Sequence, residues 1–107
     1  MIFKNHGEDL TKEELQEIAD NFFISRHAKE MFSKRGYLNP RQIILNPYIA
    51  YFNTDGTINI AFNEYRYLVV GWAEKYQKFC IITWKEPSWT GASVTHKREL
   101  ARTGKKR

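Results

Sequence analysis

Tyr48-Ile49-Ala50-Tyr51-Phe52-Asn53-Thr54-Asp55-Gly56-Thr57-Ile58-Asn59-Ile60-Ala61-Phe62 decides the fold. Two apolar runs flank Asp55-Gly56, a pair that supplies the positive φ angles of a tight turn, so the stretch reads as a β-hairpin. Ile58, Ile60 and Phe62 alternate with Thr57, Asn59 and Ala61, which gives the second strand one apolar face. Downstream, Tyr67 to Trp72 and Lys78 to Trp84 are apolar runs separated by the polar Ala73-Glu74-Lys75-Tyr76-Gln77, and predict a second hairpin. Together they predict a four-stranded antiparallel meander.

Upstream of Tyr48 the period is helical. Thr11-Lys12-Glu13-Glu14 is a capping box, in which the Thr11 hydroxyl accepts from the Glu14 N–H and the Glu14 carboxylate accepts from the Thr11 N–H. Leu15, Ile18, Ala19 and Phe22 then recur at helical spacing. A second helix is predicted from Ser25 as cap to a stop at Gly36, with Ala28, Met31 and Phe32 facing the core. A third starts at Asn39-Pro40 and carries Ile43 and Ile44 before Asn46-Pro47. Beyond Trp84, the segment Lys85 to Gly91 is loop-like, and Ser93 caps a last helix through Ala101, with Gly104 beyond it. Helices first and a meander afterwards means α+β, with the N-terminal helices packed on one sheet face and a short basic C-terminal helix or tail.

The 107 residues fit one domain, 42% hydrophobic and 15% aromatic, which excludes a disordered chain. Residues 1–10 are expected to be a mobile N-terminus. No run approaches the roughly 20 apolar residues that span a bilayer, and Met1 to His6 lacks the apolar run of a signal peptide, so a cytoplasmic location without membrane contact is expected. The single Cys80 excludes an internal disulfide and a multi-cysteine zinc site. From His96 to Arg107, six cations stand against one acid, which accounts for the whole net charge of +5. Such a basic segment suits a phosphate backbone; for Lys105, Lys106 and Arg107 alone, a solvated terminal run is the equally ordinary reading.

The segment Ser25-Arg26-His27-Ala28-Lys29-Glu30-Met31-Phe32-Ser33-Lys34-Arg35-Gly36 resembles the His-Ala, then Met, then Arg-Gly helix of a family of small phage and bacterial domains grouped with the RelE/barnase-like toxin ribonucleases. Ile81-Ile82-Thr83-Trp84 is similar to that family's apolar final strand ending in Thr, and the resemblance runs loosely from Phe23 to Arg102. It implies a helix-plus-sheet fold whose sheet face binds RNA, cleavage without metal or other cofactor, site residues His27, Arg35 and Thr83, and a neutralising antitoxin as partner.

The residues themselves allow the same chemistry. Metal-free RNA cleavage needs a base for the 2′-hydroxyl, cations for the phosphorane and an acid for the leaving oxygen. His27 and His96 are candidates for base and acid, because histidine titrates near neutral pH. Arg35, Arg66, Lys97 and Arg98 are candidates for the phosphate, with Thr83 and Ser88 as further donors. Lys85, Arg102, Lys105, Lys106 and Arg107 extend the cationic set. Trp84 and Trp89 flank the predicted loop and are the expected base-stacking rings, although most aromatics of a small sheet pack in its core. A histidine at the rim of an apolar helix face, as His27 is expected to be, is also commonly structural. Gly-rich phosphate loops, His-Glu-x-x-His, paired cysteines and Gly-x-Ser-x-Gly do not occur in the chain.

Two functions follow as expectations. One is an RNA-binding protein of the toxin-like ribonuclease class, with RNA cleavage as its candidate activity. The other is a non-enzymatic phage-type accessory protein or inhibitor that holds a nucleic acid or host nucleoprotein through its basic C-terminus. An adaptor that uses an exposed sheet edge is a third.

Overall fold

The computed structural model describes residues 4–35, 39–86 and 93–104. Four helices and five strands follow in the order α1 (Lys12–Asp20), β1 (Phe22–Ile24), α2 (Arg26–Arg35), α3 (Pro40–Leu45), β2 (Ala50–Phe52), β3 (Ile58–Ala61), β4 (Tyr67–Ala73), β5 (Lys78–Lys85) and α4 (Val94–Arg102). The fold is α+β. Its sheet is mixed, in the order β1-β5-β4-β3-β2, so the expected four-stranded antiparallel meander is corrected by a fifth strand. Phe22 ends no helix; it opens β1, which lies parallel to β5 with Phe23 beside Cys80.

The local signals act as capping chemistry dictates. Thr11 and Glu14 close the capping box on α1, and Asn39 caps α3 with Pro40 in its first turn. The Ser25 hydroxyl accepts from the Ala28 N–H at 3.0 Å to start α2 and donates to the Ile82 carbonyl at 2.8 Å. The stop expected at Gly36 lies outside the described residues. In the β2–β3 turn Gly56 has φ 90°, while Asp55 accepts from the N–H and hydroxyl of Thr57. The β4–β5 turn places Gln77, not a glycine, at φ 53°, and its amide donates back to the Glu74 carbonyl and carboxylate.

The two sheet faces differ. Ala50, Phe52, Ile58, Ile60, Leu68, Val70, Phe79, Ile81 and Trp84 form the main core with the apolar sides of α1, α2 and α3. Residues between them in sequence point the other way, and there Tyr51, Ala61 and Val94 make a second cluster under α4. In β5 the alternation breaks because the register slips between Val69 and Val70, leaving Ile82 as an extra residue. That bulge turns Trp84 inward with Phe79 and Ile81.

The N-terminal segment is no loose arm from Lys4 onward. Gly7 N–H donates to Phe52 carbonyl, Phe52 N–H to Glu8 carbonyl and Leu10 N–H to Ala50 carbonyl, so residues 7–10 cover the outer edge of β2. Lys4 Nζ meets Glu14 at 3.0 Å and fastens the segment to α1. Gly7 has φ 78°, and a Cβ there would stand 2.8 Å from the backbone nitrogen of Arg102. Replacing Gly7 by Ala is therefore expected to cost roughly 1–3 kcal/mol, since both the backbone conformation and the space exclude a side chain. Urea unfolding of the two proteins measures it, and an unchanged midpoint refutes the close packing of Gly7 on α4.

Candidate nucleic-acid interface

Phe62 to Arg66 forms the turn between β3 and β4, and its sequence explains its shape. Asn63 Oδ1 accepts from the N–H groups of Tyr65 (3.0 Å) and Arg66 (2.8 Å), and Phe62 N–H donates to the Arg66 carbonyl at 2.8 Å. This Asx turn holds three side chains outward: Phe62 is 51% exposed, Tyr65 46% and Arg66 also exposed. Tyr48 stands beside them at 54% exposure, its N–H bound to the Ala61 carbonyl. Phe62 was expected to extend the apolar face of its strand; β3 instead ends at Ala61.

Glu64, in the same turn, fixes α4. Its carbonyl accepts from Val94 N–H at 2.8 Å, and its carboxylate accepts from the Thr95 N–H and hydroxyl, both at 3.1 Å, and from the Tyr48 hydroxyl at 2.7 Å. Ser93 completes the cap by accepting from the His96 N–H. The donors of Tyr48, Ser93 and Thr95 hold the Glu64 carboxyl down at about 2. The carboxylate in turn pushes the Tyr48 phenol up. His96, exposed, and Lys97, half-buried, thus emerge beside the aromatic turn. Pairing of Tyr67 with Lys85 brings the end of β5 to the same place, with Lys85 exposed and Arg66 Nε 3.8 Å from Glu86. Four sequence-predicted residues, Arg66, Lys85, His96 and Lys97, are therefore brought to one end of the sheet. The rings that accompany them, Tyr48, Phe62 and Tyr65, were not singled out as exposed in the sequence. Asn63 two and three residues before Tyr65 and Arg66 was the available signal for an outward-facing turn.

The other expected residues are placed differently. Trp84 is fully buried, 6.0 Å from the Phe32 ring, with its indole N–H on Glu86 at 3.0 Å, so it cannot stack a base. Arg98 and Arg102 are committed within the chain. Arg98 Nη1 meets Asp9 at 3.1 Å; Arg102 Nη2 meets it at 3.3 Å and Arg102 Nε donates to the Gly7 carbonyl at 2.9 Å. Thr83 is buried on the α4 face of the sheet, beside Val69. His27 is exposed in the first turn of α2, whose apolar side packs on the main core. His27 and His96 thus ride on helices covering opposite sheet faces and do not form a joint base and acid; among the described residues no hydrogen bond joins either to Thr83. Arg35 is the last residue of α2. Ser88, Trp89, Lys105, Lys106 and Arg107 lie outside the described residues. Among those described, no group of three His, Cys, Asp or Glu side chains could hold a metal, and no helix is long and apolar enough to cross a membrane.

Two outcomes test this geometry. Trp84→Ala is expected to lose about 3–5 kcal/mol of stability, the cost of emptying a core site, as read by chemical denaturation. The Glu64 carboxyl is ordinarily near 4.5 and is lowered in the fold, so its contribution to stability is fully present above that value and is lost as pH falls through about 2. Glu64→Gln should flatten the pH dependence of unfolding in that window, and identical profiles refute the cap. No family model, curated protein or solved structure matches the chain.

Proposed function

We propose that this protein binds single-stranded RNA, with the exposed rings of Tyr48, Phe62 and Tyr65 stacking bases and Arg66, Lys85 and Lys97 meeting phosphates. The observation that carries this reading is the Asx turn that holds aromatic and cationic side chains outward together beside the cap of α4. Aromatic faces accept any base, and rings interleaved with cations form the usual platform for an unpaired strand. Glu64, the acid at the centre of this surface, keeps its charge but turns its carboxylate oxygens onto three donors, the Tyr48 hydroxyl and the N–H and hydroxyl of Thr95.

The path continues along α4. Nine residues of helix span about 13 Å, so the C-terminal end of α4 lies one helix length from the aromatic turn; Lys105, Lys106 and Arg107 follow it in sequence as further candidate cations for phosphates. Binding without cleavage is the activity this arrangement supports, because the two histidines expected to share proton transfer are separated by the sheet.

The test is anisotropy of a labelled oligouridine against a salt series. Tyr65→Ala should weaken binding by about 1–3 kcal/mol, the worth of one stacking ring. Arg66→Ala, and truncation after Gly104, should each lower the slope of log affinity against log salt by about 0.7 for every phosphate left without its cation. RNA incubated with protein in EDTA should stay intact, and His27→Ala should bind as the parent does. Equal binding by the Tyr65 and Arg66 variants refutes the interface, and cleavage that depends on His27 restores the nuclease reading.

A further inference from the structure

The two edges of the sheet are treated unequally. Residues 7–10 cover β2, whereas β1 has no neighbour on its outer side among the described strands. Phe79 N–H donates to the Asn21 carbonyl and Ser25 N–H to the Ile81 carbonyl, each at 3.0 Å. In that parallel register Phe23 turns its backbone groups toward β5, while those of Phe22 and Ile24 point outward. α2 does not fold back over them: it starts beside Ile82 and reaches Trp84 with Phe32, so it continues in the direction of β5. Two donors and two acceptors are left as a short template.

Beside this edge, on the face away from the main core, Phe23, Tyr76 and Lys78 line an apolar cleft of about 370 Å³. The two rings meet edge to face at 5.5 Å, Tyr76 is 58% exposed, and Lys75 Nζ lies 5.6 Å from the Tyr76 ring centre. Cations line and flank the cleft. Arg26, just past the end of β1, is exposed, as are Lys75 and Lys78, and none of the three forms an ion pair among the described residues. Of the nearby acids, Asp20 pairs with Arg41, Glu74 accepts from the Trp72 indole and Gln77 on the core side of the turn, and Glu30 is exposed one turn along α2 from Arg26.

We propose that β1 is a docking edge for an extended, acidic segment of a partner protein, which adds as a sixth strand and seats one apolar side chain in the Phe23–Tyr76 cleft. Backbone pairing with Phe22 and Ile24 supplies the affinity that strand addition shares across sequences, and the cleft and its cations select the segment. Alternation along the added strand puts every second side chain on the cleft side, so an apolar residue there is flanked by acids that reach Lys78 and Arg26. This surface is separate from the aromatic turn and does not depend on RNA binding.

The probe is a fluorescein-labelled peptide, Glu-Glu-Val-Phe-Val-Glu-Glu, with its all-lysine counterpart as control. Saturable binding of the acidic peptide alone is expected, together with slowed hydrogen exchange at the Phe22 and Ile24 amides. Ile24→Pro removes an outward N–H without touching a bond to β5, and should weaken binding about tenfold, roughly one hydrogen bond. Tyr76→Ala, in an exposed turn, should weaken it comparably and serves if the proline variant does not fold. Both variants should bind oligouridine unchanged, while Arg66→Ala should alter RNA binding alone. Peptide affinity untouched by Tyr76→Ala, or exchange at Phe22 and Ile24 unaltered by the peptide, overturns the proposal. So does a dimer in sedimentation that the Tyr76 variant dissolves, which assigns the edge to a second copy of this chain.

Discussion

Strand β5 is hydrogen-bonded on both sides, antiparallel to β4 and parallel to β1, and α2 takes its position from that arrangement. Ser25 is the hinge point of it. Its N–H and hydroxyl both donate to β5, at Ile81 and Ile82, while the same hydroxyl accepts from Ala28 and starts α2. One side chain therefore ends a strand, starts a helix and sets which side of α2 meets the sheet. Ala28, Met31 and Phe32 go inward onto the core, and His27 is left in water. The bulge at Ile82 completes the fit by turning Trp84 toward Phe32.

The opposite face is organised by charge as much as by apolar contact. α4 buries Val94 and Ala101, a small apolar footprint, and is fastened at each end by polar groups. Glu64 and Ser93 satisfy the first N–H groups, where a carboxylate also suits the positive end of the helix dipole. At the other end Arg98 and Arg102 close on Asp9 and on the Gly7 carbonyl. Exposed ion pairs contribute little singly, about 1 kcal/mol or less, but here they join segments some ninety residues apart in sequence. A cationic helix thus uses its arginines to hold the fold and presents Lys97 and His96 outward.

Most of the fold was legible because its signals are local. The capping box at Thr11, the Asn39-Pro40 start and the hairpin turned at Asp55-Gly56 each report on fewer than ten residues and form, the turn with its positive φ at Gly56 alone, while of the alternating Ile58, Ile60 and Phe62 the first two lie in β3. β1 was not legible. Its first residue, Phe22, continues the helical spacing of Leu15, Ile18 and Ala19, and its partner β5 lies more than fifty residues away in a parallel register that no turn announces. The burial of Trp84 was hidden for a related reason, since a bulge moves a residue from one face to the other without any mark in composition. The arginines of α4 were misjudged because charge in a sequence does not show its counter-charge: Asp9 is distant in the chain and adjacent in space.

These placements speak against a joint role of His27 and His96 in proton transfer and are the geometric ground of the proposed binding. Proton transfer demands groups within hydrogen-bond reach of one reacting atom, and a sheet with side chains on both faces keeps His27 and His96 apart. Stacking and phosphate contact demand less: rings and cations held outward on a common rim, with tolerance in their spacing. The Asn63 turn meets that weaker requirement because its own side chain, rather than a partner, fixes the backbone of Tyr65 and Arg66. The rim is therefore formed before any ligand arrives, which spares the ordering entropy that a flexible loop would lose on binding. The two surfaces are separate: the aromatic turn closes one end of β3, β4 and β5, and the open template of β1 lies along an outer edge, so the two proposed ligands would not compete for the same groups.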